Sequence, residues 1–265
     1  LIIAAIAGGI VLAGQLGIIG SATSLDSSTQ SSSQSTDKAD GGHSSNGSGT
    51  DNANGTGGVG GTDGADGDNQ DTVTDNPLKI VESGWSADQQ GYVHYAFALR
   101  NTSKTQQVQY PQITITGRAK DGSIVFSQTQ ALNMAFPNQT VYDAGQAGEG
   151  TAPETVDFTV LNPDTYNVAK AQGTAAFPIS GISKIDNRDG GTTFNGEVRA
   201  VADGFKPSDG QQIKISLVLR NAQNAIIYGD IAFVDWPGNG RSTPFSITVY
   251  DLPKYVSYDL YAQIW

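Results

Sequence analysis

The residue types that most often build catalytic or metal centres are scarce in this chain, which has two histidines and no cysteine. His43 lies in a Ser/Gly-rich stretch and His94 in an alternating apolar segment, so the two do not converge on a metal. A nucleophilic triad needs a histidine beside a serine and a carboxylate, and no Gly-x-Ser-x-Gly frame supports one. Without cysteine there is no disulfide framework, thiol nucleophile or Cys-ligated metal. Asp63, Asp66, Asp68 and Asp71 approach the spacing of a calcium loop. Such a loop needs ligands at positions 1, 3 and 5, Gly at 6 and Glu at 12. Counted from Asp66, position 5 is Gln70 and position 6 is Asp71, so a solvated linker is the better account. We expect no catalytic residue, no cofactor and no metal site.

Recognition chemistry is better represented. Trp236 lies in the turn-like string Asp235-Trp236-Pro237-Gly238-Asn239-Gly240-Arg241. A lone aromatic there can stack on a sugar, enter a partner, cover its own hairpin or dock on another module. In the C-terminal segment, Tyr255, Tyr261 and Trp265 share one parity, opposite Val256 and Leu260. Strand alternation would put them on one face, either as a recognition strip or as an interdomain contact.

The segments that position these residues read as strands. Val93, Tyr95, Phe97 and Leu99 alternate with small or polar residues, and Ile213, Ile215, Leu217 and Leu219 do the same. Lys214, Ser216 and Arg220 are expected to face solvent. Ile113-x-Ile115 and Ile231-x-Phe233 are further strands, each running towards an Asp-Gly or Asn-Gly turn signal. No convincing amphipathic helix is seen.

The two alternating segments look like copies. Trp85–Asn101 and Phe205–Asn221 have equal length, each follows a Gly, and each ends in Leu-Arg-Asn. Pro137-x4-Tyr142-Asp143 matches Pro253-x4-Tyr258-Asp259. A tandem β-module explains this, with Trp85 over Phe205 and Leu99 over Leu219. The break between modules is expected at the turn-rich Asn187-Arg188-Asp189-Gly190-Gly191.

The module resembles the FxLYD-type and related immunoglobulin-like domains of Gram-positive membrane-anchored proteins. The residues that carry this are Gly84-Trp85 before a polar hairpin, the Leu-Arg-Asn strand end, Ile113-x-Ile115 running into Asp121-Gly122, and Phe136-Pro137-Asn138-Gln139-Thr140. The Phe-x-Leu-Tyr-Asp string itself is absent. The resemblance covers 78–265 and implies an extracytoplasmic binding or structural role with no catalytic residues.

The remaining sequence is of another kind. Leu1 to Gly20 is apolar except for Gln15, and twenty helical residues span about 30 Å, the thickness of a bilayer core. We read residues 1–20 as a transmembrane anchor, or else as a signal. Ala5, Gly9, Ala13 and Gly17 recur every four residues, a pattern compatible with weak helix-mediated dimerisation. Residues 21–76 are Ser, Gly, Thr, Asp and Asn with almost no large apolar side chain, and read as a disordered stalk.

Charge follows the same division. The chain carries a formal net charge of -11, of which the nine Asp and one Lys of residues 1–76 contribute -8. An acidic stalk disfavours the cytoplasmic side, and the near-neutral remainder disfavours nucleic acid. The expectation is an all-β protein: two tandem Ig-like antiparallel sandwiches, 77–188 and 189–265, behind an anchor and a stalk. Its expected place is the cell membrane, single-pass, with the C-terminal domains extracellular. Its role would be to bind a cell-wall glycan or surface protein, or to act as a structural spacer or assembly subunit, with a hydrolase a distant alternative.

Overall fold

The computed structural model describes residues 76–265. The expected span at 1–20 and all but the last residue of the expected stalk at 21–76 lie outside the described residues. Among the described residues no helix is long and apolar enough to cross a membrane.

The described chain is all-β, in several small antiparallel sheets. Its first strands are β1 (Leu78–Ala87), β2 (Val93–Asn101), β3 (Gln106–Gln109), β4 (Gln112–Arg118), β5 (Ile124–Ala131), β6 (Met134–Ala135), β7 (Thr140–Ala147) and β8 (Thr155–Val160). A 3₁₀ turn at Thr165–Asn167 leads to β9 (Val168–Lys170), β10 (Thr174–Ala176), β11 (Ile179–Asp186), β12 (Thr192–Arg199) and β13 (Val201–Asp203). The chain closes with β14 (Gln212–Arg220), β15 (Ile226–Asp235), β16 (Ser242–Val249) and β17 (Ser257–Ile264).

Four three-stranded sheets do most of the work. In the first half β1-β2-β7 faces β5-β4-β8, and in the second β11-β12-β16 faces β15-β14-β17. The strand orders are the same. If the six long strands of each half are counted in sequence, one sheet joins the first, second and fifth, and the other the fourth, third and sixth. Alternation builds each core. Val93, Tyr95, Phe97 and Leu99 of β2 meet Ile113 and Ile115 of β4 in one. Phe194 and Val198 of β12 meet Ile213, Ile215, Leu217 and Leu219 of β14 in the other. Met134 and Phe136 belong to the second core although they lie in the first half of the chain. Phe136 meets Phe205 edge-on, with ring centroids 5.7 Å apart.

The halves meet through sheets β1-β2-β7 and β15-β14-β17. Ala96, Ala144, Val218, Ile226 and Tyr261 form a small third cluster between them. Two glycines let the sheets approach. A Cβ on Gly84 would lie 1.8 Å from the Ile226 carbonyl oxygen, and one on Gly229 would lie 2.2 Å from that of Tyr95.

This stacking revises the apparent repeat. By strand order β2 corresponds to β12, and β14 to β4, so Leu99 and Leu219 are not equivalent positions. Their segments are alike because both are central strands of the two sheets that meet. Each is buried on both faces, with large residues towards its own core and small or polar ones towards the seam. Lys214, Ser216 and Arg220, expected to face solvent, are buried there instead. The turn at 187–191 lies inside the β11–β12 hairpin, with the Asn187 N–H donating to the Gly191 carbonyl. Strand β11, on the near side of the expected break, thus pairs into the second half. It escaped detection because it is an edge strand exposed along nearly its whole length and shows no apolar period.

Candidate functional site

The seam holds the most concentrated polar chemistry of the described residues. At one place Lys214 Nζ lies 2.5 Å from Asp143 Oδ1, with both side chains fully buried. Lys214 also donates to the Ala144 carbonyl oxygen at 3.0 Å, and Gln263 Nε2 donates to the same Asp143 oxygen at 3.3 Å. Burial dominates the titration of both charges. It raises the Asp143 carboxyl to about 6 even against the pull of Lys214. It pushes the Lys214 ammonium down, opposed by Asp143.

Elsewhere on the seam Arg220 reaches across as a fork. Its Nη1 and Nη2 donate to the two Glu82 oxygens at 2.7 and 3.0 Å, and its Nε to Asp259 at 2.8 Å. Nη1 also donates to the Asn224 carbonyl oxygen at 3.0 Å. The Tyr142 hydroxyl donates to Glu82. Hydrogen bonding from Arg220 holds the Glu82 carboxyl below its ordinary value. Beside this fork the Tyr142 and Tyr261 rings stack, with centroids 3.8 Å apart and planes 3° from parallel.

The structure separates the four aromatic candidates. Tyr261 is buried in the seam, an interdomain contact rather than part of an exposed strip. Trp236 covers the end of its own core, edge-on to Phe177 at 5.6 Å and tilted to Phe205 at 6.3 Å. Tyr255 lies before β17 begins, so strand alternation does not extend to it. It packs against the second core, with Lys184 Nζ 5.9 Å from its ring. Trp265 leans on Phe233 at 4.8 Å, and Lys214 Nζ lies 5.4 Å from its ring. All four are at least partly buried, Tyr261 in the cluster between the halves and Trp236 and Tyr255 against the second core.

A cleft of about 180 Å³ opens at the seam. Its walls come from the β1–β2 hairpin, from Tyr228 of β15 and from the loop Tyr250–Pro253. His94 stacks on Tyr228 with centroids 4.7 Å apart. Its Nε2 lies 3.4 Å from Asp88 Oδ2 and 3.3 Å from Gln146 Nε2, while its Nδ1 is buried without a partner. Asp88 Oδ1 accepts the Gln90 and Tyr92 N–H groups, each at 2.9 Å, which fixes the hairpin. Behind the wall burial raises the Asp230 carboxyl, and the Tyr228 hydroxyl donates to it at 3.2 Å. No local pattern in the chain marks this cleft, because its walls are far apart in sequence and are united at the seam. Among the described residues no group of three His, Asp or Glu could hold a metal. A wider groove of about 490 Å³ lies over β12 and β16, but glycine, proline and the edge of Phe245 make up much of its lining.

No family model matches the chain. No curated protein matches it either. The solved structure of the exo-chitosanase CsxA from Amycolatopsis orientalis aligns over 66% of this chain and 24% of its own, at 10% identity and a TM-score of 0.17. The chain thus spans about a quarter of that enzyme's length, and a likeness this slight assigns neither fold nor function.

Proposed function

We propose that this is a non-catalytic, membrane-tethered extracytoplasmic protein that presents two fused immunoglobulin-like sandwiches, similar to FxLYD-type modules, for binding at the cell surface. In this reading residues 1–20 anchor the chain, residues 21–76 extend it, and 78–160 and 179–264 are the two sandwiches. The observation that carries the sandwich assignment is the shared strand order of the halves, joining first, second and fifth strands in one sheet and fourth, third and sixth in the other. Such two-sheet modules serve as surface scaffolds on which loops and seams do the binding.

The seam adds a reason for two modules rather than one. Buried charge pairs contribute little net stability, but they penalise every arrangement that leaves a charge unpaired. Lys214 with Asp143, and Arg220 with Glu82, fix one mutual orientation. A second reading, a structural spacer, draws on the polar outer sheet faces, where Thr116 meets Ser127 and Thr193 meets Thr248.

The test is protease treatment of intact cells expressing the full chain. The expected result is release of a stable fragment beginning near Pro77. A chain fully protected in intact cells and cleaved only after lysis would overturn the reading.

A further inference from the structure

We propose that the seam cleft binds a single sugar ring lacking an acidic substituent. This deepens the surface-binding reading and rests on it for the source of the ligand. At about 180 Å³ the cleft is smaller than the several hundred cubic ångströms typical of drug-sized ligands, so it has room for one ring. Clefts between domains are a favoured place for such sites.

The lining has the two kinds of group a sugar needs. The first is an aromatic face. Tyr250 is 54% exposed, its hydroxyl donates to Asp189 at 3.2 Å, and its edge lies against Gly191, where any side chain would collide with it. The ring is therefore held in place and not free to fold away. The second is a set of hydrogen-bonding side chains with no partner among the described residues. The Asp251 carboxylate, the Ser86 hydroxyl and the Gln89 amide all border the cleft, and none makes a hydrogen bond or ion pair among the described residues. Asp251 sits at φ 51°, in the left-handed region that non-glycine residues seldom occupy. Backbone in such a conformation is concentrated at ligand-binding positions.

Charge narrows the class. The lining contains Asp88 and Asp251 but no Lys or Arg. Phosphates, sulfates and uronic acids would meet carboxylates without a compensating cation. Asp88 is already engaged by two backbone N–H groups and His94, which leaves Asp251 as the free acceptor for sugar hydroxyls.

The experiment is saturation-transfer NMR and calorimetry on the purified full chain. The probes are glucose, galactose, mannose, N-acetylglucosamine and glucuronic acid. Each is tested against wild type, Tyr250→Ala, Asp251→Asn and, away from the cleft, Tyr166→Ala. Asparagine tolerates the left-handed conformation, so Asp251→Asn preserves the loop. At least one neutral sugar is expected to bind, with affinity reduced tenfold or more in both cleft variants and unchanged in Tyr166→Ala. Equal binding of glucuronic acid, no binding of any neutral sugar, or binding indifferent to both cleft variants would overturn the proposal. If cell-surface proteolysis releases the head while no sugar binds, the cleft proposal fails and the surface reading stands. If sugars bind but the chain is protected in intact cells, the reverse holds.

Discussion

The two charge clusters of the seam solve the same problem in opposite ways. Arg220 spreads its charge over a planar fork, takes Glu82 and Asp259 at once, and leaves both carboxylates about a third exposed. Lys214 concentrates its charge at one atom, lies 2.5 Å from Asp143, and shares full burial with it. A fork at the edge of solvent recovers its desolvation cost, whereas a point charge sealed in a dry site recovers it poorly. The difference explains why Asp143 titrates high and Glu82 low. The Arg220 cluster adds attraction between the halves, and the Lys214 cluster adds selectivity for one register.

Lys214→Ala should have the largest effect, because it strands Asp143 in a dry site. Chemical denaturation should show a loss of about 3–5 kcal/mol. A loss below about 1 kcal/mol would mean that water reaches the pair. Replacing both partners, Lys214→Met with Asp143→Leu, should by contrast be neutral or stabilising by about 1–4 kcal/mol. Orientation between the halves should then loosen, visible as broader inter-half distances in spin-label measurements.

Gly229→Ala tests the close approach itself. The added methyl meets the Tyr95 carbonyl oxygen and the side chains of Ala96 and Ala144, and overpacking of this kind costs about 1–3 kcal/mol. Arg220→Lys keeps the charge and loses the fork. It should cost roughly 1–2 kcal/mol through lost charge-assisted hydrogen bonds.

The smallest effect is in pH. The Asp143 carboxyl is raised in the folded state to about 6, above its ordinary value of 3.8. The folded protein therefore binds the extra proton between those values. The stability from this group is complete below about 3.8 and is lost as pH rises through about 6. Glu82 works the other way, with its contribution present above its ordinary range and lost as pH falls. Asp143→Asn should remove the first trend and leave the second, as read from melting temperature between pH 4 and 7.

Much of the fold was legible because alternation is a local signal. The strands around Tyr95, Ile113 and Ile215 follow from large residues at every second position. The seam was not legible, for the same reason. Period two says which residues share a face but not what covers the other face. Lys214, Ser216 and Arg220 look like a solvated face until a second sheet is placed over them. The resemblance between Trp85–Asn101 and Phe205–Asn221 is a consequence of that cover. Two central strands in matching environments came to look like copies of one strand. The same limit applies to the aromatic candidates. Tyr261 and Trp265 share a parity as expected, but their face belongs to the seam, while Tyr255 precedes the strand and packs elsewhere.

The stacking is also unsymmetrical. A first-second-fifth sheet of one half meets a fourth-third-sixth sheet of the other, which leaves one sheet of each kind facing outwards. A contact between unlike faces repeats without end if the outer faces are equally adhesive. Here they are not. Thr114, Thr116, Ser127 and Asp157 line one outer face, and Thr193, Asn195, Glu197 and Ser246 the other. The pair of described halves has two outer faces that come from sheets of different kind, so a molecule approaching one meets a different surface from a molecule approaching the other.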